Sequence, residues 1–295
     1  MKIEHDVPLA RLTTLGTGGP ARAFARPASA EELEEALRWA QAEGLPVHVV
    51  GLGSNLLVAD EGVDALVLKL DGALAACEVD GTRLTAGGGA TNAVCLHRAR
   101  DAGLGGFEFA AAIPGTVGGG VWMNAGAYGS DFSRVLVEAV VVDADGARTL
   151  TPAELGLAYR RSALRHGQVV ASATFELQPR PPEEIRAEVK SLNERRKASQ
   201  PTNKRTFGSV FKNPEHELGA GRMLEECGLK GHAIGGALIS PRHANFIENA
   251  GTATSSDAIA LMAEGRRRAY ERFGVELEHE VEFLGGLELP PLQLR

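Results

Sequence analysis

The sequence Gly51-Leu-Gly-Ser-Asn-Leu-Leu-Val58 follows a short apolar segment, Val47–Val50, that is typical of a buried strand. Its first two glycines fit a dinucleotide-binding fingerprint, but Leu56 stands where the third glycine belongs. No helical pattern follows, so the stretch does not predict a Rossmann site. A turn of glycine, serine and asparagine still offers several backbone N–H groups, which can hold a diphosphate. A plain turn between two strands would have the same sequence, so both interpretations stay open on this stretch alone.

The residues on both sides of this stretch predict a small βαβ-like unit. Residues 29–43 predict a helix in which Ser29 and Glu32 form a capping box. Val47–Val50 and Ala65–Leu70 predict two buried strands, one before and one after the glycine turn.

The next part of the chain has a different pattern, typical of antiparallel strands. Glu78–Thr85 predicts a hairpin on an Asp-Gly turn, and Val135–Val142 and Val169–Leu177 predict two further strands. Between them, Thr91–Ala102 predicts a short helix. These elements favour an α+β domain.

The last third of the chain begins with Pro179-Arg-Pro-Pro182, which predicts a linker. Residues 185–205 are rich in lysine and arginine, which favours a solvated helix face over a rim that binds phosphates. Ser256–Phe273 predicts a final helix that ends at Gly274, and Val275–Leu284 predicts a strand.

A second pair of glycine loops lies at Ile113-Pro-Gly-Thr-Val-Gly-Gly-Gly120 and Met123-Asn-Ala-Gly-Ala-Tyr-Gly129. Two such loops close together leave little side-chain bulk in the path of a ligand. Thr116 and Asn124 could form hydrogen bonds with a ring edge or with phosphates. A glycine-rich barrel corner is the structural alternative, but together with residues 51–58 the loops favour a large flat ligand.

The composition excludes several classes of protein. The chain has 295 residues, of which 44% are hydrophobic and 23% charged, so disorder is excluded. The net charge of −7 argues against non-specific nucleic-acid binding. No apolar run approaches the roughly 20 residues of a membrane span, and the polar N-terminus is unlike a signal peptide. We therefore expect a cytoplasmic protein with no nucleic-acid or membrane partner.

Three cysteines, Cys77, Cys95 and Cys227, are widely spaced. The spacing predicts neither a disulfide framework nor a zinc site, and we expect buried, small hydrophobic side chains. The sequence contains no other metal-site pattern.

An ordered set of motifs resembles the UDP-N-acetylenolpyruvoylglucosamine reductase family, and the resemblance runs from about residue 7 to residue 285. The motifs are Thr14–Gly19, Gly51–Asp60, Gly105–Gly129, Tyr159-Arg-Arg-Ser162, Gly208–Pro214, His243-Ala-Asn-Phe246 and Leu277–Val281. Each motif alone is modest, whereas the ordered set is specific.

The resemblance implies an α+β fold: a two-part FAD-binding module of the vanillyl-alcohol-oxidase (PCMH) type and a smaller α/β substrate-binding domain. The boundaries that we expect are 1–71 and 72–180 for the two FAD-binding parts, 181–274 for the UDP-sugar domain and 275–295 for a tail that returns to the active site. The short connection after Ser162 resembles the family's shorter type, which lacks a tyrosine loop over the substrate.

The implied activity is reduction of the enolpyruvyl group of UDP-N-acetylglucosamine enolpyruvate to UDP-N-acetylmuramate, with FAD as cofactor and NADPH as reductant. This reaction belongs to peptidoglycan synthesis, and hence to cell-wall biogenesis, cell shape and cell division. Two alternatives are a flavin-dependent sugar or alcohol oxidase of the same FAD fold and a nucleotide-sugar binder with an inactive flavin site.

The resemblance assigns three catalytic residues. Arg160 would stabilise charge on the substrate carboxylate, because a guanidinium can bind both carboxylate oxygens. Ser209 would deliver a proton, and Glu280 would support the intermediate. Residue chemistry alone does not choose Arg160 over Arg161, nor Glu280 over Glu276 and Glu278.

The remaining site residues also follow from the motifs. We expect FAD contacts from Gly51, Gly53, Ser54, Asn55, Leu56, Ile113, Pro114, Gly115, Thr116, Gly118, Gly119, Asn124, Gly126 and Ala127. We expect substrate contacts from Lys212, Asn213 and His243, although a lone histidine is more often a packing residue. The flavin loops contain no histidine or cysteine, so we expect non-covalent FAD, and we expect a monomer.

Overall fold

The computed structural model describes residues 1–292. The chain forms two compact units. Unit 1 consists of Met1–His5, Ala23–Leu52 and Asp64–Arg196, and unit 2 consists of Asp6–Arg22, Gly53–Val63 and the chain from Lys197 onward. Each unit is therefore built from separate stretches of sequence. The four ranges expected from the sequence stay a prediction, and residues 293–295 of the expected tail lie outside the described residues.

The strands of the described chain are β1 (Ile3–Pro8), β2 (Pro20–Ala25), β3 (Val47–Val49), β4 (Leu56–Val58), β5 (Val63–Leu68), β6 (Cys77–Asp80), β7 (Arg83–Gly87), β8 (Leu104–Gly105), β9 (Gly126–Ala127), β10 (Ser130–Asp131), β11 (Leu136–Asp143), β12 (Gly146–Leu150), β13 (Val169–Glu176), β14 (Gln178–Pro179), β15 (Ala233–Ile234), β16 (Ala237–Ile239), β17 (Ile247–Asn249) and β18 (Glu282–Leu284). The α-helices are α1 (Ala30–Ala42), α2 (Asn92–Asp101), α3 (Val117–Trp122), α4 (Pro182–Ser199), α5 (Ala220–Glu226) and α6 (Ser255–Phe273).

Unit 1 contains a five-stranded antiparallel sheet with the strand order β12-β11-β13-β7-β6. The predicted hairpin is confirmed, because Asp80 pairs with Arg83 around a turn in which Gly81 has a φ of 58°. The positive φ explains the glycine at this position. The predicted strands near 135–142 and 169–177 are β11 and β13.

The core beside this sheet contains four phenylalanines whose rings contact one another. Phe107 contacts Phe109, Phe132 and Phe175 with ring centroids 5.2–5.6 Å apart, in tilted or edge-on geometry. Helix α3 packs here through its glycines, since a methyl group at Gly120 would lie 2.3 Å from the Phe132 ring. A short helix rich in glycine can therefore lie directly on an aromatic core.

A four-stranded sheet has the order β1-β2-β5-β3, in which β3 and β5 run parallel. Helix α1 covers it with the apolar face of Leu33, Ala36, Leu37 and Ala40. Ser29 caps α1 as predicted by accepting from Glu32 N, but the Glu32 carboxylate accepts from Ala28 N and so does not complete the predicted capping box. The helix and the two strands predicted for this unit are present as α1, β3 and β5.

Unit 2 contains a three-stranded antiparallel sheet, β15-β16-β17, packed against α6. Helix α6 matches the predicted helix and ends at Gly274, whose φ of 67° is the left-handed value of a helix C-cap. The hydrophobic core of unit 2 includes Phe207, Phe211, Met223 and Met262.

Three elements differ from the sequence-based prediction. Leu56–Val58, expected as part of a turn, forms β4 and pairs in parallel with β18. The predicted strand 275–284 is strand only at its end, since the residues before β18 make one isolated bridge, His279 with Phe211. The Pro179–Pro182 segment is not a free linker, because β14 pairs with β8 and α4 begins at Pro182.

No α-helix within residues 1–292 has the length and apolar character that crossing a membrane requires.

Asp60 connects the short N-terminal part of unit 2 to the start of α6. Its Oδ1 accepts from Ser255 N at 2.8 Å, and its Oδ2 accepts from Ser256 N at 2.9 Å and Ser256 Oγ at 2.8 Å. The first N–H groups of a helix have no partner within the helix, so an external carboxylate stabilises them.

We predict that Asp60→Ala lowers the free energy of unfolding by about 1–3 kcal/mol, because three donors lose their acceptor. Asp60→Asn keeps one side-chain oxygen and should lose less. Urea denaturation measures both, with the exposed neighbour variant Glu61→Ala as control. Equal stabilities for Asp60→Ala and Glu61→Ala would contradict this role.

Candidate active site

Unit 1 contains a cavity of about 210 Å³ next to the glycine turn that follows β3. Most of the residues that line it are small or apolar, and the charged ones are a lysine and an aspartate. The lining residues are Val49, Val50, Gly51, Leu52, Lys69, Leu70, Asp71, Ala75, Gly88, Gly89, Thr91 and Thr116. Two of the predicted FAD contacts, Gly51 and Thr116, therefore line one cavity.

The close approach of a neighbouring side chain explains the glycine at position 51. A methyl group at Gly51 would lie 2.5 Å from Thr116 Oγ1, so a larger residue would push the two segments apart. Gly118 N donates to Gly88 O at 2.8 Å, and Thr91 bridges to Thr116. Within unit 1, the structure thus brings the first predicted loop and the second one together.

Asn92, which the sequence analysis did not single out, fixes the start of the second loop. Its backbone N–H donates to Gly115 O at 3.0 Å, and its Nδ2 donates to Ile113 O at 3.0 Å. The side chain is almost completely buried, so these bonds form away from solvent. Asn92 therefore fixes Ile113 and Gly115, two of the predicted FAD contacts, through hydrogen bonds to their carbonyl oxygens.

Among the residues that the structure describes, Lys69 is the one cation that lines the cavity. Its Nζ donates to Gly51 O at 2.5 Å and so holds the glycine turn directly. Burial lowers the pKa of Lys69, and the nearby Arg26 lowers it further, whereas Asp71 opposes the shift. A partly desolvated ammonium at a glycine turn can bind an anionic group of a ligand.

Three lining residues, Lys69, Gly88 and Gly89, were not predicted from the sequence as site residues. Gly87–Gly89 is a run of three glycines, but it lacks the spacing of a dinucleotide-binding fingerprint. Lys69 follows a strand and carries no local signal at all. Only the pairing of β5 with β3 places it beside Gly51.

Asn124 connects the second glycine loop to the segment that contains Arg160. It is buried and has a φ of 44°; its Nδ2 donates to Ala158 O at 3.1 Å, and its Oδ1 accepts from Ser133 N at 3.0 Å. Both polar atoms of the side chain thus bind backbone groups. Asn124 holds the loop that carries Arg160, and its predicted FAD contact remains a prediction.

Arg160 is positioned by the same loop. Its Nη2 donates to Gly126 O at 2.7 Å, and its guanidinium lies 5.0 Å from the centre of the Tyr159 ring. Arg160 has a φ of 54°, a left-handed conformation that costs an arginine about 1–2 kcal/mol. Such strain persists only where the surroundings enforce it, and it is commonest at functional sites.

The neighbouring arginines differ from Arg160. Arg161 and Arg165 are exposed, whereas Arg160 is half-buried. Beyond them, Ser162 Oγ donates to Trp122 O at 2.5 Å, which fixes the end of the Tyr159–Ser162 motif. The environment therefore distinguishes Arg160 from Arg161, which residue chemistry could not do.

In unit 2, the other half of the first glycine stretch contacts the C-terminal segment. Asn55 Nδ2 donates to Glu280 O at 3.1 Å, and Glu282 N donates to Asn55 O at 3.0 Å. Gly53 has a φ of 65°, and a methyl group there would lie 2.0 Å from Leu12 O. Leu56, another predicted FAD contact, begins β4.

Ser209 lies on a segment that runs beside Glu280. Its neighbour Val210 accepts from Glu280 N at 2.8 Å, and Val210 N donates to Asn245 O at 2.9 Å. Gly208 has a φ of 84°, and a methyl group there would lie 3.2 Å from Ser54 O. Unit 2 thus brings Ser54, Ser209 and Glu280 onto adjoining stretches of backbone.

The three glutamates of the C-terminal segment have different environments. Glu276 pairs with Arg266, and Glu278 pairs with Lys212 at 2.5 Å; both glutamates are exposed. Glu280 is half-buried and bonds through its backbone to Val210. Glu280 therefore stands apart from the other two by burial, while the Lys212 ammonium already has a carboxylate partner.

Asn213 and His243 have structural contacts in this structure. Asn213 Oδ1 accepts from Ala220 N at 3.0 Å, at the start of α5. His243 Nδ1 accepts from Asn245 N at 3.2 Å, and its ring packs edge-on against Phe246. Burial, followed by the charge of Lys230, lowers the pKa of His243. Their substrate contacts remain predictions.

The basic run of 185–205 lies mostly in solvent, as the solvated-face interpretation expects. Arg196 is half-buried, and desolvation lowers its pKa. Arg195 stacks on the Tyr128 ring, with the guanidinium carbon 4.4 Å from the ring centre.

Within residues 1–292, no group of three or more histidine, cysteine, aspartate or glutamate side chains is arranged to hold a metal ion.

Two family models match the chain. The FAD binding domain model matches residues 21–150, which include the cavity. The model of the C-terminal domain of UDP-N-acetylenolpyruvoylglucosamine reductase matches residues 200–284, which include Ser209 and Glu280.

Individual relatives match over nearly the whole chain. UDP-N-acetylenolpyruvoylglucosamine reductase 2 of Symbiobacterium thermophilum is 45% identical over 96% of this chain and 92% of its own length. The reductase of Anaeromyxobacter dehalogenans is 43% identical over 99% of this chain and 88% of its own length.

A solved structure agrees with these relatives. The crystal structure of UDP-N-acetylenolpyruvylglucosamine reductase from Thermus caldophilus superposes on this structure with a TM-score of 0.85 and 37% sequence identity. The alignment covers 97% of this chain and 100% of the Thermus chain. Sequence, fold and site motifs agree along the chain, which belongs to the UDP-N-acetylenolpyruvoylglucosamine reductase family.

Proposed function

We propose that this chain is an FAD-containing, NADPH-dependent reductase that converts UDP-N-acetylglucosamine enolpyruvate to UDP-N-acetylmuramate. One observation carries the proposal: Asn55 of the glycine turn bonds to Glu280, and Glu280 bonds to the residue after Ser209. A residue of the predicted cofactor loop is therefore hydrogen-bonded to one predicted catalytic residue, Glu280, which is in turn bonded to the neighbour of another, Ser209.

The residues of unit 1 fit the dinucleotide cofactor. The glycines that line the cavity are Gly51, Gly88 and Gly89, and a methyl group there would lie 2.5 Å from Thr116 Oγ1, 1.9 Å from Val170 O and 2.6 Å from Leu70 O, respectively. Lys69 supplies a positive charge. Gly51, Thr116 and Lys69 would hold the anionic part of FAD there. When bound, FAD supplies the hydride that the reaction requires, having received it from NADPH.

The chain's own side chains perform the rest of the chemistry. The substrate is an enol ether that carries a carboxylate, so hydride addition at its methylene carbon leaves negative charge on the adjacent carbon and the carboxylate. Arg160 would stabilise this charge with two N–H donors. The Ser209 hydroxyl would give its proton to the adjacent carbon, and Glu280 would orient and support that transfer.

Lys212 and Asn213 follow Ser209 in the same segment, so we assign them to the nucleotide-sugar. The Lys212–Glu278 ion pair would have to open or share its ammonium for a phosphate to bind. We further propose that the protein is a cytoplasmic monomer without nucleic-acid or membrane partners. The FAD should be non-covalent, since neither histidine nor cysteine is among the described cavity-lining residues.

Anaerobic stopped-flow spectroscopy tests the proposed function. NADPH should bleach the flavin absorbance of the purified protein, and UDP-N-acetylglucosamine enolpyruvate should restore it. Recovery only with oxygen would favour the oxidase alternative, and no bleaching would favour a nucleotide-sugar binder.

We predict that Lys69→Met weakens FAD binding about tenfold or more, because a partly buried ammonium is lost and charged hydrogen bonds contribute about 1.5–3 kcal/mol. Fluorescence titration of the flavin-free protein measures the Kd. Lys190→Met, an exposed lysine of α4, is the control. An unchanged Kd for Lys69→Met would show that this cation does not act on the cofactor.

We predict that Ser209→Ala slows flavin reoxidation by substrate about 10²–10⁴-fold and leaves flavin reduction by NADPH unchanged. The proton is needed only in the second half-reaction, and stopped-flow measures the two halves separately. A similar decrease in both halves would contradict the assigned role.

We predict that Arg160→Lys lowers kcat about 10²-fold with little change in KM, because lysine offers a single point charge where arginine offers two aligned donors. The backbone strain is the same in both variants. Arg161→Lys and Arg165→Lys serve as controls and should remain near wild type. A loss confined to KM, or an equal loss at Arg161, would indicate ground-state docking of substrate.

A further inference from the structure

The end of helix α3 is hydrogen-bonded to both flanks of the turn that carries Arg160. Trp122, the last residue of α3, accepts through its carbonyl oxygen from Ser162 Oγ at 2.5 Å. Asn124, two residues further on, donates through Nδ2 to Ala158 O at 3.1 Å. Ala158 and Ser162 lie two positions before and two positions after Arg160. Two side-chain bonds therefore join the segment of this arginine to one helix end from both sides.

The turn has an unusual residue at its third position. Ala158 N donates to Arg161 O at 3.0 Å, and Arg161 N donates to Ala158 O at 3.3 Å, so Tyr159 and Arg160 form a two-residue loop. Arg160 has a φ of 54°, whereas Tyr159 has a negative φ. This is the pattern of a type II turn, in which glycine or asparagine is usual at the third position. An arginine keeps this conformation only where the surrounding contacts enforce it.

Helix α3 gives these contacts a rigid support. Its residues Val117 and Val121 are fully buried in the core of unit 1. The last carbonyl groups of a helix have no partner within the helix, so the Ser162 hydroxyl also satisfies Trp122 O. Asn124 is buried, and both of its polar atoms bind backbone groups. The turn is therefore attached to a part of the fold that moves little.

We propose that Ser162 and Asn124 are positioning residues for Arg160, which hold its turn so that the guanidinium meets the substrate carboxylate with both N–H donors aligned. The inference rests on the proposed function, in which Arg160 stabilises the charge that follows hydride transfer. Both residues act through Arg160, and a misplacement of a stabilising group by about 1 Å can cost 10²-fold in rate.

Two variants each remove one of the two bonds. Ser162→Ala deletes the hydroxyl that binds Trp122 O. Asn124→Asp keeps an oxygen for Ser133 N and tolerates the left-handed φ, but it puts a second oxygen where Nδ2 donates to Ala158 O. Ser162→Thr retains a hydroxyl and serves as the conservative variant.

Anaerobic stopped-flow spectroscopy of the FAD-loaded protein measures the effect on each half-reaction. We expect Ser162→Ala and Asn124→Asp to slow flavin reoxidation by UDP-N-acetylglucosamine enolpyruvate about 10–100-fold, with little change in KM and an unchanged reduction by NADPH. Ser162→Thr should restore most of the rate. Ser133→Ala, whose hydroxyl binds Asp131 and not the turn, is the control and should remain near wild type.

A double-mutant cycle with Arg160→Lys separates positioning from general support of the fold. Lysine offers a point charge that cannot use the exact orientation of the turn. Ser162→Ala should therefore slow the Arg160→Lys protein much less than it slows the wild type. If Ser162→Ala does not fold, Asn124→Asp takes its place in the same cycle.

Hydrogen exchange reports the turn without turnover. The Arg161 N–H closes the turn on Ala158 O, so it should exchange about tenfold or more faster in Ser162→Ala and Asn124→Asp, at a nearly unchanged Tm and FAD content. Equal slowing by Ser162→Ala in both backgrounds of the cycle, or wild-type rates in both variants, would overturn the inference alone. A wild-type flavin that the substrate does not reoxidise would overturn the proposed function, and the inference with it.

Discussion

The contact on which unit 2 depends is the approach of Gly53 to Leu12. A methyl group at Gly53 would lie 2.0 Å from the Leu12 carbonyl oxygen, so the two backbones touch at a place where only a hydrogen atom fits. Thr14 N donates to Gly53 O at 3.0 Å on one side of this contact. Two residues later, Asn55 binds the backbone of Glu280 and Glu282. The turn therefore joins an early segment of the chain to a late one, and Glu280 depends on it for its place.

The fold was predictable wherever a local signal decides the structure. Helix α1 has its Ser29 cap, α6 has its Gly274 stop, and the β6–β7 hairpin has its Asp-Gly turn, each within a few residues. Strand β4 could not be predicted in this way. Its three residues are strand only because β18, more than two hundred positions away, pairs with them. The same long-range pairing explains why only the end of the predicted C-terminal strand is regular.

The residues of the candidate site also fall into those that local motifs predict and those that only the fold reveals. The motifs identified Arg160, Ser209 and Glu280, and the structure adds what the sequence lacks: a positive φ and a carbonyl partner for Arg160, and burial that separates Glu280 from Glu276 and Glu278. Lys69 and Asn92 carried no local signal, since their importance comes from segments that the fold places beside them. A lysine after a strand is ordinary in sequence and becomes notable only when its ammonium binds the glycine turn.

The alternation of the chain between the two units has a consequence for biosynthesis. Residues 6–22 and 53–63 belong to unit 2, but the bulk of that unit begins only at Lys197. On a ribosome that adds about 5–20 residues per second, these early segments wait about 7–27 seconds before the first of their later partners is made. The N-terminal strands must stay unaggregated in that interval, so folding of this chain is completed after translation of its last third. Neither unit could be transferred between genes as a single contiguous cassette.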